Sequence, residues 1–88
     1  MKPEVQLSSS TLTFTVRDAP AMKWDYRYWQ PILIRFDYGR DTITSITVTG
    51  VEQDSDTFNV EEIPLRMEYY NEFPQWIQEL ERKHQPSI

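Results

Sequence analysis

The chain has 88 residues, no cysteine and a formal net charge of −5, and this length fits one domain, residues 1–88, with a single core. The absence of cysteine excludes disulfides, thiolate nucleophiles and cysteine-based zinc sites. The longest wholly apolar run, Ile32-Leu33-Ile34, is far shorter than the roughly 20 residues of a membrane-spanning helix. The first residues also lack the apolar stretch of a signal peptide. We therefore expect a soluble, cytoplasmic protein with no membrane partner.

The charge is unevenly distributed along the chain. Residues 1–50 carry five acidic and six basic side chains, whereas residues 51–88 carry nine acidic and three basic ones. The second half would repel the phosphates of a nucleic acid and attract a basic protein surface. An acidic surface also serves ordinary solubility, and the sequence leaves both interpretations open.

Alternation of apolar and polar residues predicts strands over the first two thirds of the chain. The first strand covers residues 11–17, where Leu12, Phe14 and Val16 alternate with polar side chains. The Asp-Ala-Pro segment at 18–20 ends it. A longer alternation then places large apolar side chains at even positions: Trp24, Tyr26, Tyr28, Ile32, Ile34, Phe36 and Tyr38.

Four aromatic rings lie within residues 24–30. Those at even positions are predicted to belong to the core: Trp24, Tyr26 and Tyr28. Trp29 is at an odd position beside Arg27, so we expect it on the opposite, polar face as a candidate contact residue. Pro31 cannot donate a ladder hydrogen bond, which predicts a bend, a bulge or an edge position there.

A hairpin over residues 31–50 is the strongest local prediction, with its turn at 38–41 and a β-branched partner strand at 42–50. Gly50 is predicted to end that strand, and residues 51–56 to form an acidic loop. Alternation resumes at Phe58 and Val60 and continues on odd positions after 61–62, which predicts a bulge. A short helix from Pro64 is the competing interpretation, so residues 61–70 are either strand or helix.

The C-terminal segment changes to helical periodicity. Phe73, Trp76, Ile77 and Leu80 form one apolar stripe, and Asn71 is the predicted N-cap. The predicted fold class is α+β, an antiparallel sheet of four to five strands with one C-terminal amphipathic helix packed on it. The alternative is a small β-barrel with a terminal helix. One helix covers a sheet face only partly, so the rest needs barrel closure, a partner or a second copy in a homodimer.

Catalytic and metal-binding patterns are weak. The single histidine, His84, lies near the C-terminus, where a structural role is favoured. The serines at 8–10 have no base nearby in the sequence. A calcium loop starting at Asp54 would need glycine and glutamate where Asn59 and Leu65 stand. The two glycines of the chain form no phosphate-binding loop. We therefore predict no enzyme activity, no cofactor and no metal.

The sequence favours a non-enzymatic, acidic protein-binding module that docks on a basic surface of a partner protein as an inhibitor or accessory subunit. By size and charge only, it is of the inhibitor, immunity or anti-defence type, including nucleic-acid mimics. The predicted partner-binding residues are Glu52, Asp54, Asp56, Glu61, Glu62, Glu68, Glu72, Trp29, Tyr69 and Tyr70. The alternative is a small aromatic-faced β module that binds single-stranded nucleic acid through Lys23, Arg27, Trp29 and Arg35.

Overall fold

The computed structural model describes residues 4–7, 10–40, 42–53 and 56–84. The strands in these ranges are β1 (Glu4–Leu7), β2 (Thr11–Thr15), β3 (Met22–Trp24), β4 (Arg27–Gly39), β5 (Thr42–Glu52) and β6 (Val60–Leu65). They are followed by a 3₁₀ helix (Met67–Glu72) and one α-helix, α1 (Gln75–Lys83).

The strands form one antiparallel sheet in the order β1-β2-β4-β5-β6. The short β3 also pairs with β4, along Arg27–Trp29, while β2 pairs with the same edge of β4 further on, along 33–37. The described strands do not close on themselves, since β1 and β6 lie at the two ends of the order. The predicted α+β class, with an antiparallel sheet and a C-terminal helix, is confirmed, and the barrel alternative is wrong.

The predicted hairpin is confirmed and is longer than expected. The β4–β5 ladder runs from Trp29 opposite Glu52 to Gly39 opposite Thr42. Gly50 does not end β5, because it pairs within the ladder and lies beneath Trp29. A Cβ on Gly50 would be 3.2 Å from the Cβ of Trp29, so glycine is needed here for close packing rather than for a turn.

A register shift between Pro31 and Leu33 changes which residues of β4 face the core. Ile32 is the extra residue, and it moves the buried positions from odd numbers before it to even numbers after it. Trp29 and Pro31 are therefore buried on one side of the shift, as Ile34 is on the other. The irregularity expected at Pro31 is present, but its effect on the alternation was not anticipated.

Three of the four aromatic residues of the segment 24–30 lie the other way round from the prediction. Tyr26 is 93% exposed and Tyr28 is 49% exposed, whereas Trp29 is only 1% exposed. Trp24 is half-buried and packs against the core. The assignment of Tyr26 and Tyr28 to the core and of Trp29 to the surface is therefore wrong, because alternation was extrapolated through a tight turn and a bulge.

Residues 61–70 turn out to be strand followed by helix. β6 pairs with β5 in regular register from Val60 to Leu65, so the bulge predicted at 61–62 is wrong. Ile63 and Leu65 face the core, whereas Phe58 is 84% exposed. The chain then enters the 3₁₀ helix.

The C-terminal helix supplies the second layer. Phe73, Ile77 and Leu80 are buried against the sheet, as the helical stripe predicts. Asn71 is not the N-cap, since it lies within the 3₁₀ helix, and α1 begins after Pro74. No helix in the described ranges is long and apolar enough to cross a membrane.

Candidate partner-binding site

The side chain of Trp29 is enclosed at one end of the sheet. Its indole Nε1 donates a hydrogen bond to the carbonyl oxygen of Trp24 at 3.2 Å. The guanidinium carbon of Arg27 lies 4.6 Å from the centre of the Trp29 rings, within cation–π range. Trp29 is therefore a packing residue, and the prediction that it forms an exposed contact is wrong.

Arg27 also joins two of the predicted docking carboxylates. Its Nη1 lies 3.2 Å from Oε2 of Glu61 and 3.7 Å from Oε1 of Glu52. The side-chain amide of Asn59 donates to both carboxylates at 2.8 Å. We call these five residues, Arg27, Trp29, Glu52, Asn59 and Glu61, the Arg27 cluster. Both carboxylates are bound by groups of the chain itself, so Glu52 and Glu61 are already engaged.

The remaining acidic positions predicted for docking, apart from Glu72, differ in their surroundings where the structure describes them. Glu68 forms an ion pair with Arg66. Glu62 is exposed and lies 4.0 Å from the nearest arginine guanidinium. Asp56 is exposed, and Asp54 lies outside the described residues.

The residues of the nucleic-acid hypothesis each contact other groups of the chain. Arg35 lies 3.3 Å from a carboxylate oxygen of Asp37. The ammonium group of Lys23 lies 5.8 Å from the ring centre of Tyr28. Arg27 and Trp29 belong to the Arg27 cluster, so this set offers no ring on which a base can stack.

A different group of residues does come together, at the tip of the β3–β4 hairpin. It forms an open pocket of about 610 Å³, which we call the Trp24 pocket. The lining residues are Lys23, Trp24, Asp25, Tyr26, Tyr69 and Glu72. Of these, Tyr69 and Glu72 were predicted to bind a partner, and the four hairpin residues were missed for this role.

The hairpin side of the pocket is built by a two-residue turn. Asp25 and Tyr26 have positive φ angles of 56° and 65°, the left-handed conformation typical of tight hairpin turns. Glycine and asparagine are favoured there, and a tyrosine costs about 1 kcal/mol or more. Trp24 forms the inner wall, because its ring packs edge-on against Phe73 with centroids 5.6 Å apart.

The other side of the pocket is built by the 3₁₀ helix, which separates two adjacent tyrosines. Tyr69 is 44% exposed and has the guanidinium carbon of Arg66 5.8 Å from its ring centre. Tyr70 is half-buried and donates a hydrogen bond to Oε2 of Glu81 at 2.9 Å. Burial, together with this bond, raises the pKa of Tyr70. Tyr70, predicted as an anchor for a partner, instead ties the 3₁₀ helix to α1.

The pocket carries an excess of negative charge. Neither Asp25 nor Glu72 forms an ion pair with another residue in the part of the chain that the structure describes. Lys23 supplies the only positive charge among the lining residues, and its ammonium group lies towards Tyr28. The pocket therefore presents aromatic rings and two unmatched carboxylates to the solvent.

The described ranges contain no group of three or more His, Asp or Glu side chains placed to hold a metal ion. The ring of His84 packs on Phe14 with centroids 4.7 Å apart, and its Nδ1 lies 3.0 Å from the carbonyl oxygen of Leu80. His84 therefore joins the end of α1 to the core.

Comparison with known proteins finds no matching family model, no similar curated protein and no similar solved structure.

Proposed function

We propose that this chain is a non-enzymatic protein-binding module that docks the Trp24 pocket on a basic surface of a partner protein, as an inhibitor or accessory subunit. The observation that carries the proposal is the meeting of three aromatic rings and two unmatched carboxylates in one open pocket. Exposed aromatic rings are typical of the residues that dominate binding energy at protein interfaces. Carboxylates beside them favour lysine and arginine on the partner.

Tyr26 supports this proposal in a second way. It is almost fully exposed and occupies a left-handed conformation, so it gains little from packing and costs backbone energy. Strained residues of this kind concentrate at functional sites. Contact between the ring of Tyr26 and a partner would explain why a residue that lowers stability occupies this position.

The pocket is also a better docking site than the acidic stretch 52–72 as a whole, because several carboxylates of that stretch are already paired with arginines of the chain. A partner would have to displace an arginine of this chain before it reached Glu52, Glu61 or Glu68. Glu72 needs no such exchange. Exposed acids elsewhere, such as Glu62, add long-range attraction to a basic surface without direct contact.

The proposal is tested by affinity capture of the tagged, full-length chain from cells that express it, with and without nuclease. The pocket variant combines Tyr26→Ser with Glu72→Lys. The matched control combines Phe58→Ser with Glu79→Lys, which removes one exposed aromatic ring and reverses one exposed acid elsewhere on the surface.

We expect a nuclease-resistant partner that is retained less well at high salt, is lost with the pocket variant and is kept with the control. Capture that disappears after nuclease treatment would contradict the proposal and favour nucleic-acid binding. Equal loss with both variants would place the interface elsewhere. Light scattering on the purified chain measures its mass in solution and so distinguishes self-association from binding of another protein.

A further inference from the structure

The Arg27 cluster is an internal example of how this chain holds an arginine. One aromatic face contacts the guanidinium at 4.6 Å, and two carboxylates approach it at 3.2 and 3.7 Å. An aromatic face and paired carboxylates suit a guanidinium, which is planar, weakly hydrated and carries several donors. The cluster thus contains both the cation and the groups that bind it.

The Trp24 pocket has the same classes of group, but its one lining cation, Lys23, has its ammonium group next to Tyr28 and forms no ion pair with Asp25 or Glu72 among the described residues. Its rings come from Trp24, Tyr26 and Tyr69, and its carboxylates come from Asp25 and Glu72. The guanidinium carbon of the neighbouring Arg66 lies 5.8 Å from the ring centre of Tyr69, and Arg66 is paired with Glu68. We infer that the Trp24 pocket binds an arginine side chain of the partner protein; this rests on the proposed function and identifies what the site recognises.

Arginine is favoured over lysine by the shape and the mixed chemistry of the pocket. A guanidinium can stack on an aromatic face and donate from its edge to carboxylates at the same time, whereas an ammonium is a compact and strongly hydrated charge. Asp25 comes from the hairpin and Glu72 from the 3₁₀ helix, the two segments that line the pocket. A guanidinium that binds both carboxylates would bridge these two segments.

Lys23 limits the affinity of the pocket. Its ammonium carries the same charge as the ligand, although it lies next to Tyr28. Replacing Lys23 with glutamine should therefore strengthen arginine binding, because a like charge is removed while the rings and the carboxylates stay. This sign is opposite to the one expected for a pocket that binds an anion or a phosphate.

The test is an NMR titration of the ¹⁵N-labelled full-length chain with N-acetyl-arginine methylamide. The neutral control ligand is N-acetyl-citrulline methylamide, which has nearly the shape of arginine without its charge. The lysine analogue is the third ligand. We expect arginine to shift the indole N–H of Trp24 and the amides of Tyr26, Tyr69 and Glu72, lysine to do so more weakly, and citrulline to have no effect.

Two variants test whether arginine binds in the Trp24 pocket, and two variants elsewhere on the surface serve as controls. Glu72→Gln and Tyr26→Ser should each weaken arginine binding by about two- to fivefold, the size of one exposed ion pair or one exposed cation–π contact. Glu79→Gln and Phe58→Ser should leave it unchanged. The spectra themselves show whether each variant is folded.

Equal shifts with citrulline, a preference for lysine, or equal weakening by the control variants would overturn the inference. The proposed function fails in a different way. If capture of a partner depends on the pocket but arginine induces no shift, the docking function is supported and the arginine site is overturned. If arginine induces the shifts but the pocket variant captures the partner as well as the unchanged chain does, the arginine site is supported and docking through the pocket is contradicted.

Discussion

The Arg27 cluster and the Trp24 pocket are neighbours built from the same kinds of side chain, yet one is closed and the other is open. They share the β3–β4 hairpin and are joined by the hydrogen bond from the Trp29 indole to the carbonyl oxygen of Trp24. In the cluster, an arginine of the chain itself lies against an aromatic ring and pairs with two carboxylates. In the pocket, two carboxylates without an ion pair and three rings line an open surface. Under the proposed function, the same chemistry supports stability where an arginine is supplied internally and supports binding where the partner supplies it.

If the Arg27 cluster stabilises the fold, removing the ring of Trp29 should have the largest effect on the free energy of unfolding. Trp29→Ala should lower the free energy of unfolding by about 3–5 kcal/mol, as is usual for a buried tryptophan. Urea unfolding followed by circular dichroism measures this change. Tyr26→Ala, which removes an exposed ring from the pocket, is the control and should cost well under 1 kcal/mol. Similar losses for the two variants would contradict the distinction between cluster and pocket.

The close packing beneath Trp29 predicts the next largest effect. Gly50→Ala would place a Cβ 3.2 Å from the Cβ of Trp29 and 3.4 Å from the carbonyl oxygen of Gln30. Neither atom moves without the backbone of β4, so we expect a loss of about 1–3 kcal/mol. Unfolding in urea measures it. An unchanged or increased stability would show that β4 and β5 can separate slightly and that glycine is not required at this position.

A smaller effect is expected when the internal cation is removed. Arg27→Ala should lower the free energy of unfolding by about 1 kcal/mol, because one cation–π contact and two partly exposed ion pairs are lost. Part of this loss should disappear at high salt, which screens the repulsion left between Glu52 and Glu61. Arg66→Ala, which removes a more exposed ion pair, is the comparison and should cost less. A larger loss for Arg66→Ala would contradict the role of the cluster.

The smallest expected effect is an increase in the free energy of unfolding rather than a loss. Tyr26→Gly should raise the free energy of unfolding by about 0.5 kcal/mol, since relief of the left-handed strain exceeds the extra entropy of glycine in the unfolded chain. The same variant should lose most of its binding to a partner. Tyr28→Gly, in a regular strand, should instead lower stability. A loss of stability in Tyr26→Gly would mean that the exposed ring packs on the fold after all.

The elements that depend on local periodicity were predictable. Alternation in residues 11–17 and the β-branched run at 42–50 predicted β2 and β5, and the stripe formed by Phe73, Ile77 and Leu80 predicted α1. Each pattern is local, because it reports one face of one element.

The candidate site was only partly predictable. Tyr69 and Glu72 were selected from the charge and aromatic content of the acidic half of the chain. Tyr26 was assigned to the core by alternation, although its position in a tight turn is what exposes it. Asp25 is a residue that tight turns favour, but Tyr26 stands where glycine commonly follows it, so the sequence offered only a weak turn signature there.

What the sequence by itself determined is the class of the fold: an antiparallel sheet with one amphipathic helix, in a chain without cysteine and with an acidic second half. Tertiary structure decided which aromatic rings are buried, because the register shift at Ile32 reverses the alternation along β4. It also decided which charges are matched, since Arg27 meets Glu61 across 34 positions of the chain. The pocket likewise joins a hairpin tip to a 3₁₀ helix more than 40 residues later. Periodicity reports the faces of single elements, whereas pairing register and the packing of distant segments determine which side chains meet.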